Sequence, residues 1–215
     1  MVAAKWERAR GNMLELDHLA VAAETLDEGR EAVEHALGVR LQAGGQHVKF
    51  GTHNVLLGME EGLYLEVIAV DPSAGALPYP RWFDLDRFEG RPRPRIWICR
   101  TGDLEGVVAD VPGAGVPVAL ERGDLRWRMA VPETGVLPYD NSFPAVIQWE
   151  GSAHPAARLA PSGCALRRLV VAHPEAVALR AALAVRLEDE RVVFEPGKAA
   201  MRYEIDTPHG LRVLE

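Results

Sequence analysis

Residues 13–72 constrain the fold of this chain more than any other part of it. They contain Leu16-Asp17-His18-Leu19-Ala20-Val21 near the start and Tyr64-Leu65-Glu66-Val67-Ile68-Ala69-Val70 at the end, two runs whose aliphatic and β-branched content reads as strand. Each run carries one potential ligand or acid-base group at its middle, His18 in the first and Glu66 in the last, where a strand holds a side chain with little slack. Between them Thr25-Leu26-Asp27-Glu28 fits a capping box, Leu26, Val33, Ala36 and Leu37 form an apolar stripe, and Gly38 stands at the stop. The spacing therefore predicts a helix. Arg40-Leu41-Gln42, a Gly44-Gly45 bend and the alternating Thr52–Leu57 segment follow, giving the order β-α-β-β-β.

The rest of the composition narrows the class. A chain of 215 residues with 48% hydrophobic and 26% charged residues has enough apolar content for a substantial core. Its formal charge of −7 leaves no basic surplus for a nucleic acid or an anionic membrane. Cys99 and Cys164 stand far apart without a CxxC partner, so neither a disulfide framework nor a zinc knuckle is indicated. Residues 1–12 carry Lys5, Arg8 and Arg10 but no apolar run behind them, and no later stretch has the length of a membrane span. The expected location is the cytoplasm. Gly44-Gly45 precedes a strand instead of a helix, which argues against a nucleotide cofactor.

The strand carrying His18, the strand carrying Glu66, and the run Gly45-Gln46-His47-Val48-Lys49-Phe50-Gly51-Thr52-His53-Asn54 between them together resemble the glyoxalase-like branch of the vicinal oxygen chelate superfamily. The resemblance implies an α+β fold: tandem βαβββ modules form curved mixed sheets around a cleft, with helices on the outer face. It further implies that His18 and Glu66 hold a divalent metal (Zn, Mn, Fe or Ni) in that cleft. The implied activity is that of a lyase or isomerase moving a proton on a small oxygenated metabolite, with Glu66 as ligand or base. A metal-free protein that sequesters a small molecule in the same cleft is the alternative.

Further along, residues 73–94 hold four prolines, with Pro72 just before them, together with Tyr79, Trp82, Phe83 and Phe88, and read as a crossover. Residues 95–151 repeat the β-α-β-β-β order in weaker form, and residues 164–215 do so again. Three units of one topology leave one without a mate, so a homodimer follows as an expectation.

Several residues are candidates for the cleft. Arg95 takes the place of His18 in the second unit, and Gln148 is nearest to the role of Glu66. An arginine there disfavours a metal and favours a polar or anionic ligand. Alternation puts Asn54 and His53 on opposite faces, with Asn54 toward the cleft and His47 near it. Trp97, Trp127 and Trp149 form either an aromatic wall or plain core. The same residues also admit a structural explanation, in which His18 bonds Asp17 and Glu66 pairs with an arginine such as Arg95.

Overall fold

The computed structural model describes residues 11–215; residues 1–10, which carry most of the segment read above for a leader, lie outside the described residues. The first unit comprises β1 (Glu15–Ala22), α1 (Leu26–Leu37), β2 (Gln42–His47), β3 (Thr52–Gly58) and β4 (Tyr64–Val70). Thr25 caps α1 by accepting from Glu28 N, and Gly38 ends it in the left-handed region at φ 72°. Val33 and Leu37 bury the inner face of α1. Gly29 is needed within it, because a Cβ there would lie 2.4 Å from a methyl of Val67 on β4.

The second unit comprises β5 (Arg93–Arg100), α2 (Leu104–Asp110), β6 (Val116–Arg122), β7 (Leu125–Val131) and β8 (Ala145–Trp149). The two units share one eight-stranded sheet of order β2-β3-β4-β1-β5-β8-β7-β6. Within each, the first strand runs parallel to the last, and β1 and β5 join the halves antiparallel at the centre. The sheet curls until its edge strands β2 and β6 approach one another. Its concave face carries Ala20, Ile68, Ile96, Ile98, Trp127 and Ile147, whereas Leu19, Val21, Val67, Trp97 and Cys99 join the helices in a convex-side core. This is the α+β arrangement of βαβββ modules around a cleft.

The third unit keeps the element order but not the wiring. It comprises β9 (Ala165–His173), α3 (Ala176–Leu183), β10 (Val192–Pro196), β11 (Ala200–Thr207) and β12 (Gly210–Leu214). Its sheet runs β10-β9-β11-β12, so α3 returns the chain to the strand beside β9, while α1 carries it to the far edge of its own half. Element order, which is all that sequence punctuation conveys, is common to both wirings. The expectation of three units of one topology is corrected to two of one kind and one of another.

That third sheet lies on the convex side, where Leu169, Val171, Tyr203, Ile205 and Leu214 enter the core shared with β1 and β5. Tyr203 marks the join. Its hydroxyl sits 3.0 Å from Ala20 O and 2.7 Å from Ile96 O, at an irregularity in the β1–β5 ladder between Ala20 and Val21. Pro94, opposite Val21, has no N–H to offer there. The unit thus finds a mate within the chain, and the odd count does not by itself call for a second copy. Among the described residues no helix is long and apolar enough to cross a membrane.

Candidate functional site

His18 and Glu66 face one small cavity of about 30 Å³ on the concave side, with His18 Nε2 3.6 Å from Glu66 Oε2. Register explains the meeting, since β1 and β4 run side by side with Ala20 opposite Glu66 and His18 opposite Tyr64. The Tyr64 ring stacks on the imidazole with centroids 4.2 Å apart. Burial, followed by the charges of Asp17 and Glu66, raises the Tyr64 phenol well above its ordinary value, so it stays protonated.

Behind His18 lies Asp17, fully buried. A register shift between Leu16 and His18 lets these sequence neighbours interact, with His18 Nδ1 2.6 Å from Asp17 Oδ1. Trp149 Nε1 donates to the other carboxylate oxygen at 3.0 Å, and His154 Nε2 lies at the same distance. Burial by itself raises the Asp17 pKa, but the hydrogen bonds and charges of His154 and His18 more than offset it and hold the carboxyl well below the usual range. The ionised carboxylate fixes the imidazole so that Nε2 points at Glu66.

Asn54 orders the other side of Glu66. Its Nδ2 donates to Glu66 Oε1 at 2.5 Å, while its Oδ1 accepts from Gly45 N at 2.8 Å and from an Arg122 guanidinium N–H at 3.3 Å. Gly44 and Gly45 lie inside β2 at a register shift, and a Cβ on Gly44 would stand 2.1 Å from Asn54 Oδ1. The expected bend is therefore an irregular strand shaped around Asn54.

His47 lines the same cavity, with Nδ1 3.1 Å from Thr52 Oγ1 and Nε2 3.5 Å from Arg122. Burial, helped by Arg122, His18 and His53 and opposed by Glu66, lowers the His47 pKa from 6.5 to about 4. In the unfolded chain this ring takes up its proton near 6.5, whereas the folded protein resists until about 4. Stability contributed by the neutral ring is thus complete above 6.5, falls as pH descends between these values, and levels off below about 4. The total is on the order of 3 kcal/mol. Urea unfolding at neutral pH and near about pH 5 should show a smaller pH difference in His47→Gln than in wild type. Equal differences would contradict this account.

The strap between the two halves closes the cavity. Trp82 stacks between Phe50 and Phe83, with centroids 4.4 and 4.9 Å away, and donates from Nε1 to Thr52 Oγ1 at 3.2 Å. Phe83 and Asp84 both sit at φ 60°, a conformation costing a non-glycine residue roughly 1–2 kcal/mol. Asp84 N is tied to Gly135 O at 2.9 Å, which helps hold them there.

Other sequence candidates lie elsewhere. Cross-strand from His18 stands Ile98, and Arg95 points to Asp84 at 3.5 Å, outside the cavity lining. Alternation turns Ile147 and Trp149 of β8 toward the cleft, leaving Gln148 to accept from Leu104 N at 3.2 Å and Arg128 at 2.9 Å. Trp97 is core, donating to Ser142 O at 2.9 Å, while Trp127 and Trp149 line the cavity. Glu66 pairs with His18 and Asn54 instead of an arginine. Sequence reasoning missed Arg122 and His154. The first sits at the end of an edge strand and the second in a turn, and neither carries a local signal.

The curled sheet and the His18–Glu66 pair on its floor define a protein of the vicinal oxygen chelate class. The family model described as "Glyoxalase-like domain" matches residues 16–187, and the chain belongs to that family. A hypothetical protein from Staphylococcus aureus shares the fold at TM-score 0.61 and 18% identity, over 87% of this chain and 88% of that one. Methylmalonyl-CoA epimerase from Mycobacterium tuberculosis aligns at TM-score 0.41 and 20% identity, over 64% of this chain and 88% of its own. A Streptomyces coelicolor methylmalonyl-CoA epimerase variant in complex with 2-nitronate-propionyl-CoA aligns at TM-score 0.42 and 14% identity, over 66% and 99%. No curated protein matches the chain.

Members of this superfamily often use a divalent metal, which wants three or four protein donors. Here His18 and Glu66 are joined by no third such group: among the described residues no cluster of three or more His, Cys, Asp or Glu side chains is placed to bind a metal. The concave positions of β5 and β8 hold Ile96, Ile98, Ala145, Ile147 and Trp149, none of which offers a side-chain atom that binds a metal. This donor set does not fit a tight divalent site.

Proposed function

We propose that the cleft binds a small oxygenated molecule and that Glu66 moves a proton on it, an isomerase- or lyase-type step. The observation that carries this reading is the buried carboxylate on the cavity floor, with Asn54 on one oxygen and His18 Nε2 3.6 Å from the other. Glu66 takes a proton from a carbon beside a carbonyl. His18, oriented by Asp17, stabilises the charge shift, and Asn54 keeps the carboxylate from turning away. The enclosed space of about 30 Å³ suits one small reacting group. A neighbouring groove of about 390 Å³ shares His47 and Trp127 with it and provides room for the rest of a ligand.

A second reading, sequestration without chemistry, draws support from the aromatic lining of Trp82, Phe83, Trp127 and Trp149. Isotope exchange separates the two. Untagged protein in D2O is incubated with small carbonyl compounds bearing an acidic C–H, and loss of the proton signal is followed by NMR. Wild type should exchange one compound faster than Glu66→Gln by about 10²–10⁴-fold. Binding without any difference in exchange would sink the proton-transfer reading and leave sequestration.

A further inference from the structure

The cavity contains a cation that the sequence did not indicate. Arg122, at the end of β6, reaches across the gap between the sheet's two edges, and its guanidinium N–H groups meet only neutral acceptors in the cavity. These are Asn54 Oδ1 at 3.3 Å and His47 Nε2 at 3.5 Å, both long for charge-assisted bonds. The slot it occupies is built for it, because a Cβ on Gly45 would stand 2.7 Å from Arg122 Cδ.

Most of the other described arginines have a carboxylate partner, although Arg30 Nε is buried without one. Arg81, Arg95, Arg100, Arg128 and Arg186 each lie beside a carboxylate. Among the described residues no acidic side chain forms an ion pair with Arg122, although the sequence carries a formal charge of −7. A half-buried guanidinium held by two weak neutral contacts, facing a cavity, is prepared for an anion from outside.

We infer that Arg122 is the anion-recognising residue of the cleft and that the ligand is a short-chain oxo- or hydroxycarboxylate. The inference rests on the proposed function and names its substrate class. A carboxylate matches the planar fork of the guanidinium and supplies the missing countercharge. Asn54 then sets the distance to the reacting end: one amide touches both Arg122 and Glu66, so a carboxylate seated on Arg122 is one side chain away from the base. The length of a short carboxylic acid fits that separation. Both carboxylate oxygens accept from the guanidinium N–H groups, whose present contacts to Asn54 Oδ1 and His47 Nε2 are loose enough to exchange. His47 is held neutral by burial, so it accepts from a ligand hydroxyl without adding a second positive charge.

The test compares binding of pyruvate and lactate with binding of their methyl esters by calorimetry, in wild type, Arg122→Lys and Arg122→Gln. The acids should bind wild type at least about tenfold tighter than the esters. Arg122→Gln should erase that preference, and Arg122→Lys, which keeps the charge but loses the fork, should fall between. Melting curves of both variants show whether either has simply lost its fold, and the lysine variant keeps the test open if the glutamine one has. Failure of either acid to bind wild type, equal affinity for acids and esters, or undiminished preference in folded Arg122→Gln would each overturn the inference. Exchange in D2O is read separately. An Arg122-dependent acid preference without Glu66-dependent exchange sustains the anion site and discards the proton-transfer step, and the reverse result discards the anion site alone.

Discussion

Asp17→Ala is expected to destabilise the protein by about 3–5 kcal/mol, the range for removing one partner from a buried charged network. The side chain is fully buried and serves three groups: His18 Nδ1 at 2.6 Å, with Trp149 Nε1 and His154 Nε2 each at 3.0 Å. Alanine leaves all three without an acceptor in a place water does not reach easily. The substitution Asp17→Asn retains one acceptor oxygen but turns an amide N–H₂ toward groups that themselves donate, so it should recover little of the loss. The pH dependence carries the same signature. Because the folded carboxyl titrates below its ordinary value of 3.8, its contribution is complete above that value and erodes as pH falls below it toward the folded pKa. Denaturant midpoints measured from neutral to acidic pH should therefore converge between wild type and Asp17→Ala as acidity rises. A loss below about 1 kcal/mol at neutral pH would mean that the three donors find other partners.

Removing the Tyr203 side chain should have a comparable effect by another route. Tyr203→Ala takes a fully buried ring out of the interface between the two sheets, for which about 3–5 kcal/mol is the usual cost of an aromatic-to-alanine change. Tyr203→Phe keeps the ring and deletes only the hydroxyl that serves Ala20 O and Ile96 O, so it should cost about 1–3 kcal/mol. The pair of variants separates packing from hydrogen bonding. Equal losses in Phe and Ala would show that the ring contributes nothing, and no loss in Phe would show that the ladder irregularity satisfies its own carbonyls.

How much of this could be read from the residues follows from the range of each signal. The α1 helix was legible because its cap, stripe and stop all lie within a few residues of one another, and the structure places Thr25 and Gly38 at its two ends. Asn54 and His53 were separable because strand alternation is local, and Asn54 does line the cavity. Arg95 was given the place of His18 by aligning two helices loosely, but the concave positions of β5 are Ile96 and Ile98, and Arg95 turns to Asp84 instead. An alignment off by one residue exchanges the two faces of a strand. Arg122 was beyond reach for a different reason: its partners Asn54 and His47 are 68 and 75 residues away, and only the curl of the whole sheet brings the edges together. The wiring of the third unit was illegible because order along a chain does not fix neighbours across a sheet.

The riveting of β11 onto the central strands bears on how the molecule comes into being during synthesis. β1 leaves a ribosome well before β11, yet the hydroxyl that serves its Ala20 carbonyl belongs to Tyr203 of β11. A growing chain exposed as far as the end of β8 holds all eight strands of the first sheet, but the convex flank later covered by Leu169, Val171, Tyr203 and Ile205 stays bare until β9 to β12 emerge. Slow translation beyond β8 would prolong that exposure and favour clumping of nascent chains, whereas rapid completion would shield it. Codon choice across the stretch that encodes β9 to β12 therefore has a physical stake in the yield of folded protein.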